Sequence, residues 1–151
     1  MKIVAFMQNP WFREGTPPEW VTRYRDDQIF HRRVLGNSMS GKRLRQAFGE
    51  LYEEIHWDNS NWRAVDKASG LMLPDYEHIE NVIGREHPNL IVCFGKVAWE
   101  AVRRFDPPAP TWECHHPNAR GRTQEDLNKF AEMVRDFKQA YESRKHDQVL
   151  S

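Results

Sequence analysis

The stretch Asn89-Leu90-Ile91-Val92-Cys93-Phe94-Gly95 decides the fold. Apolar side chains at every position from Leu90 to Phe94 leave no polar face, so a strand here is buried on both sides, as in a parallel sheet covered by helices. Gly95 turns the chain directly into a helix carrying Ala98, Ala101, Val102 and Phe105, which Asp106-Pro107-Pro108 breaks. Upstream, Asp75 is placed as the N-cap of a helix with Ile79, Val82 and Ile83, ending between Gly84 and Asn89. Downstream, Thr111-Trp112-Glu113-Cys114 suits a last short strand before His115-His116-Pro117-Asn118. Thr123 then caps a final helix with Leu127, Phe130, Val134, Phe137 and Tyr141 on one face.

Towards the N-terminus, Ile3-Val4-Ala5-Phe6 reads as a first buried strand, stopped by Asn9-Pro10 because proline cannot continue a ladder. From Trp11 to Ser40 the chain is polar, aromatic and arginine-rich without a clean period, a long connection with a helical part within 19–34. From Gly41 the residues Leu44, Phe48, Leu51 and Ile55 form the stripe of one amphipathic helix, followed by a short strand between Ile55 and Trp62. A loop through Ser69-Gly70 and Leu73-Pro74 comes next. Strands alternating with helices predict an α/β fold, a three-layer α/β/α sandwich around a mostly parallel four-stranded sheet. It is read as a single domain over 1–144, with 145–151 a flexible tail.

The chain has 151 residues, enough for one domain that buries roughly two-thirds of its unfolded surface. Mean hydropathy is -0.83, and no apolar run approaches a membrane span or a signal peptide. Two cysteines, Cys93 and Cys114, exclude a disulfide scaffold, so a soluble protein of a reducing, cytoplasmic compartment is expected. His115-His116 beside Cys114 lacks zinc spacing, and two cysteines cannot hold an iron-sulfur cluster, so neither metal nor cofactor is expected. Twenty-two cations balance twenty-two anions, which argues against binding polyanions through bulk charge. The distribution is uneven: 21–45 holds seven cations against two anions, whereas 46–89 holds nine anions against three cations.

Ligands on parallel sheets bind beyond the carboxyl ends of the strands, and two such ends carry distinctive segments. They are Met7-Gln8-Asn9-Pro10-Trp11 and His116-Pro117-Asn118-Ala119-Arg120. The first resembles the Gly-x-(Asp/Asn)-Pro motif of the uracil-DNA glycosylase superfamily, and the second its His-Pro-Ser-Pro motif. Leu90–Gly95 followed by Ala98 looks like the same family's strand-glycine-helix passage, so the resemblance spans nearly the whole chain. It implies a DNA base glycosylase active on uracil or a related modified pyrimidine, a base-excision repair enzyme working as a monomer. Branches such as the single-strand-selective monofunctional uracil-DNA glycosylases also carry Asn in the first motif.

Breaking an N-glycosidic bond develops positive charge on the sugar and negative charge on the base, so such a site holds a water and stabilises an anion. The resemblance gives the first task to Asn9 and the second to His116. Asn9 replaces the commoner Asp, and a neutral amide orients water but cannot take its proton. Met7, Asn118 and Ala119 also depart from the family pattern, which implies altered substrate or lost catalysis. Gln8 and Pro10 belong to the base pocket, and Trp11 either rejects 5-substituted pyrimidines or stacks on DNA. Phe30 or Tyr24 is the candidate stacking residue; Asn59 or Asn61 is the candidate reader of the base edge. Arg120, at the wedge position, and Arg122 would enter or clamp DNA, with Asn118, Lys42 and Arg43 on the phosphates. The segment Gly36-Asn37-Ser38-Met39-Ser40-Gly41-Lys42 resembles the family's glycine-containing entry to its first long helix, and the N-terminus of that helix suits phosphate binding. Two other readings remain open: a catalytically silent nucleic-acid or nucleotide-binding module, and an enzyme acting on free nucleosides.

Overall fold

In a computed structural model of the chain, residues 1–10, 15–62 and 74–150 are described. Four strands, β1 (Ile3–Met7), β2 (His56–Asn59), β3 (Leu90–Phe94) and β4 (Thr111–Cys114), form one sheet in the order β2-β1-β3-β4. Every pairing is parallel, with Ala5 opposite Trp57 and Val92, and Phe94 opposite Cys114. The α/β sandwich read from the sequence is the architecture observed.

The two-residue period of the strands divides the core. Ile3, Ala5, Met7, Leu90, Val92 and Phe94 face one side, where α2 (Gln28–Asn37), α3 (Met39–Phe48), α4 (Leu51–Glu54) and α7 (Gln124–Leu150) supply Leu35, Leu44, Phe48, Leu51 and Leu127. Val4, Phe6, Ile91 and Cys93 face the other, under α5 (Tyr76–Glu86) and α6 (Lys96–Arg103). Phe48, Trp57 and Phe94 meet at the centre of the first side with ring centroids 5.9–6.2 Å apart. Each such buried side chain contributes on the order of 2–3 kcal/mol. Burial also pushes the Cys93 and Cys114 thiols up to about 12. Among the described residues no helix is long and apolar enough to cross a membrane.

Two local readings need correction. The connection after β1 contains two helices, α1 (Pro18–Asp26) and α2, joined at Asp27, whose carboxylate accepts the Phe30 N–H. Their inward faces are Trp20, Tyr24, His31 and Leu35, stacked rings in place of the aliphatic stripe that periodicity detects. The helix expected from Gly41 to Ile55 starts at Met39 and is split at Gly49, whose φ of 56° ends α3, although all four stripe residues are buried. Helix α5 ends as expected between Gly84 and Asn89: it passes through Gly84 and stops at His87, in the left-handed region, immediately before Pro88. Asp75 and Thr123 cap as expected: Asp75 accepts the His78 N–H, and Thr123 and Asp126 exchange reciprocal bonds at 3.0–3.1 Å. The helical backbone of α7 extends through Leu150, beyond Arg144.

Candidate functional site

Strand β1 is central, and the chain leaves it towards β2 on one side but reaches β3 on the other. Connections diverging in this way leave a crevice beyond the carboxyl ends of the strands. There a cavity of about 310 Å³ opens, lined by residues from three strand ends and from α1, α2 and the entry to α3. Asn9 and His116, 107 positions apart in sequence, both line it.

The β1 end is held by a ladder that continues past the strands. The Ser60 N–H donates to the Met7 carbonyl at 2.7 Å, and the Asn61 N–H and Ser60 hydroxyl donate to Gln8 O at 3.0 and 2.8 Å. Gln8, Asn9 and Pro10 thereby reach the cavity wall as a fixed turn, with Met7 beside them. Asn9 is 9% exposed, and its amide nitrogen donates to the Pro10 carbonyl at 3.3 Å. No described residue hydrogen-bonds its carbonyl oxygen.

The same ladder separates the two candidate base readers. Asn59, opposite Met7 in register, lines the cavity; Asn61 is buried outside it. Asn59 is only 4% exposed, yet its side-chain amide takes no hydrogen bond from a described residue. Its backbone is anchored by Asp58, whose Oδ1 accepts the Asn59 N–H at 2.8 Å. Asp58 also faces His56 Nε2 at 3.0 Å and His78 Nε2 at 2.6 Å and accepts from Trp62 Nε1 at 3.1 Å; His56 Nδ1 faces Glu86 at 3.0 Å. Burial disfavours the Asp58 anion, but the hydrogen bonds from His56 and His78 outweigh it and hold the carboxyl well below the usual range.

At the β4 end, the Asn118 N–H donates to His116 Nδ1 at 3.1 Å and the Ala119 N–H to His116 O at 2.9 Å. Because Nδ1 accepts, the ring carries its proton on Nε2. Burial and the neighbouring His115 lower the His116 pKa, so the ring is neutral near pH 7. His116 is thus a neutral N–H donor on the cavity wall. His115 does not line the cavity.

Two bonds staple the β4–α7 loop to α3: Asn118 Nδ2 to Ser40 Oγ at 2.6 Å, and Arg43 Nη1 to Pro117 O at 2.8 Å. Asn118 lines the cavity mouth; Lys42, Arg120 and Arg122 are exposed outside it. Arg43, half-buried, braces the loop. Of the two candidate stacking residues, Tyr24 lines the cavity and Phe30 does not; Arg23 covers the Phe30 ring at 4.1 Å. Tyr24 lies parallel to Trp20 at 5.5 Å and to His31 at 4.3 Å. Trp20, Ser38, Met39 and Ser40 line the cavity too and were not singled out for the pocket from the sequence; the four-residue spacing of Trp20 and Tyr24 was the available signal. Trp11 lies outside the described residues. No protein-family model matches the chain, and no curated protein matches its sequence.

Proposed function

We propose that this protein is a cofactor-independent DNA base glycosylase of the uracil-DNA glycosylase kind, acting on uracil or a related modified pyrimidine in base-excision repair. The observation that carries the reading is the convergence of Asn9, Asn59 and His116, from the ends of β1, β2 and β4, on one cavity beside Tyr24. In the reaction, a water held by the Asn9 carbonyl oxygen bonds to the sugar C1′ as the C1′–base bond breaks and its electron pair passes to the base. His116 Nε2–H donates to the base oxygen that gathers this charge, and the proton lost by the water goes to solvent or to the departed base. A neutral imidazole suits the task, since a preorganised donor is worth about 10²–10³ in rate without itself giving up a proton. Asn59 supplies one amide donor group and one acceptor for the base edge. Lys42, Arg120 and Arg122 supply cations for phosphates around the mouth, with Asn118 on the rim.

The test is a gel assay for alkali-labile sites on single- and double-stranded oligonucleotides containing uracil, with Asn9→Ala and His116→Ala beside the wild type. Strand cleavage lost in both variants supports the reading. Tight binding without cleavage assigns the cavity to a catalytically silent binding module, the alternative that an amide at position 9 favours. Cleavage of free deoxyuridine with intact oligonucleotides moves the activity to nucleosides.

A further inference from the structure

We infer that Met39 is a second DNA-penetrating residue, an apolar wedge that fills the stack when a base is drawn out of duplex DNA; the inference rests on the glycosylase reading above. Met39 begins α3 and is 69% exposed. Ile29, Tyr76, Met133 and Val149 are the other exposed large hydrophobic residues among those described, and none of them lines the cavity, whereas Met39 does. Met39 is thus an exposed apolar side chain at the lip of a pocket that also holds Asn9, Asn59 and His116. Apolar wedges that enter a base step are a recurrent device for unstacking DNA.

The surroundings suit a wedge. Ser40, the next residue but one to the N-cap Ser38, receives the Asn118 amide at 2.6 Å, and Arg43 holds Pro117 at 2.8 Å. The lip and the loop that carries Arg120 are therefore one braced unit. Gly41 removes any give on the other side, since α3 there lies directly against the backbone of Leu35. Met39 consequently projects from a rigid edge, with Arg120 on the loop to which that edge is pinned. An unbranched thioether adapts to the irregular gap left by an absent base.

The test compares wild type, Met39→Ala, Met39→Leu and Arg120→Ala under single turnover on uracil in single-stranded and in duplex oligonucleotides. A second readout is the fluorescence of 2-aminopurine beside the uracil, which rises on unstacking whether or not the bond is cleaved. Met39→Ala is expected to lose roughly tenfold on duplex and less than about twofold on single strands, with a smaller fluorescence rise, because only the duplex requires unstacking. Met39→Leu is expected to retain most of the duplex rate. Equal duplex rates and equal fluorescence in Met39→Ala and wild type overturn the wedge while leaving the glycosylase reading intact, as does a wild type active only on single strands. A wild type that neither cleaves nor binds uracil-containing DNA removes both. One that binds without cleaving is judged by the fluorescence alone.

Discussion

Replacing Gly41 by alanine tests how the cavity wall is built. A Cβ at position 41 would lie 1.6 Å from the Leu35 carbonyl oxygen, 2.3 Å from its carbon and 2.8 Å from the Gly36 nitrogen. All three are backbone atoms, so no side chain can swing aside, and α3 must retreat until the first separation reaches at least 3.4 Å. Helix propensity alone favours alanine by about 0.5–1 kcal/mol at an interior helical position. The clash reverses that sign, because overpacking of this kind costs about 1–3 kcal/mol or more. For a domain of this size a net loss of about 2 kcal/mol lowers Tm by roughly 4–8 °C. Gly84 is the internal control: it lies in α5 with nothing within 4 Å of a built Cβ. There the propensity gain stands alone, so Gly84→Ala is expected to raise Tm by about 1–4 °C. Thermal unfolding of both variants by circular dichroism reads the two signs. Leu35, Ser38, Met39 and Ser40 all line the cavity, so uracil excision by Gly41→Ala is expected to fall at temperatures where it is still folded. A Gly41→Ala protein as stable as wild type would refute the close approach of α2 and α3.

Three further outcomes follow from the same geometry. His31 is 1% exposed, and burial lowers its pKa from 6.5 to about 4 while Asp58, His56 and Arg32 act on it electrostatically. The unfolded chain therefore takes up this proton first, so stability falls as pH drops from 6.5 towards 4, by about 3 kcal/mol in all. Urea unfolding at pH 7 and pH 4.5 should show the loss in wild type and a shallower one in His31→Gln. Asp58→Asn removes the anion between His56 and His78 and is expected to cost about 3 kcal/mol in urea unfolding at pH 7; no change would deny the network a role. Arg120→Ala and Arg122→Ala should each weaken oligonucleotide binding and reduce its slope against log salt by about one, whereas Arg43→Ala should impair excision through the Pro117 loop.

The sheet was legible because parallel strands buried on both faces are written as unbroken apolar runs, Leu90–Phe94 above all. Asn9 and His116 were legible because each follows a strand end directly, where such folds place ligands. The choice between Asn59 and Asn61 was not, because it depends on the register of β2 against β1 and on which amide the continuing ladder places at the cavity. Nor were α1 and α2, whose inward faces are a stack of Trp20, Tyr24 and His31. The helix entry around Met39 and Ser40 was legible, but its place at the pocket was not: both residues are brought to the motif loop by the α2–α3 corner, a contact between backbones that leaves only Gly41 as its trace.

Asn9, Asn59 and His116, from three strand ends, share one base-sized cavity. The most direct measurement is a nuclear magnetic resonance titration of isotope-labelled protein with an oligonucleotide bearing non-hydrolysable 2′-fluoro-deoxyuridine, following the Asn9 and Asn59 side-chain amides and the His116 imidazole. Coincident shifts of these three signals, with the His56 ring unmoved and the shifts absent when thymidine replaces the analogue, are the predicted result. Signals that stay in place at saturation, or that respond equally to either oligonucleotide, would contradict it.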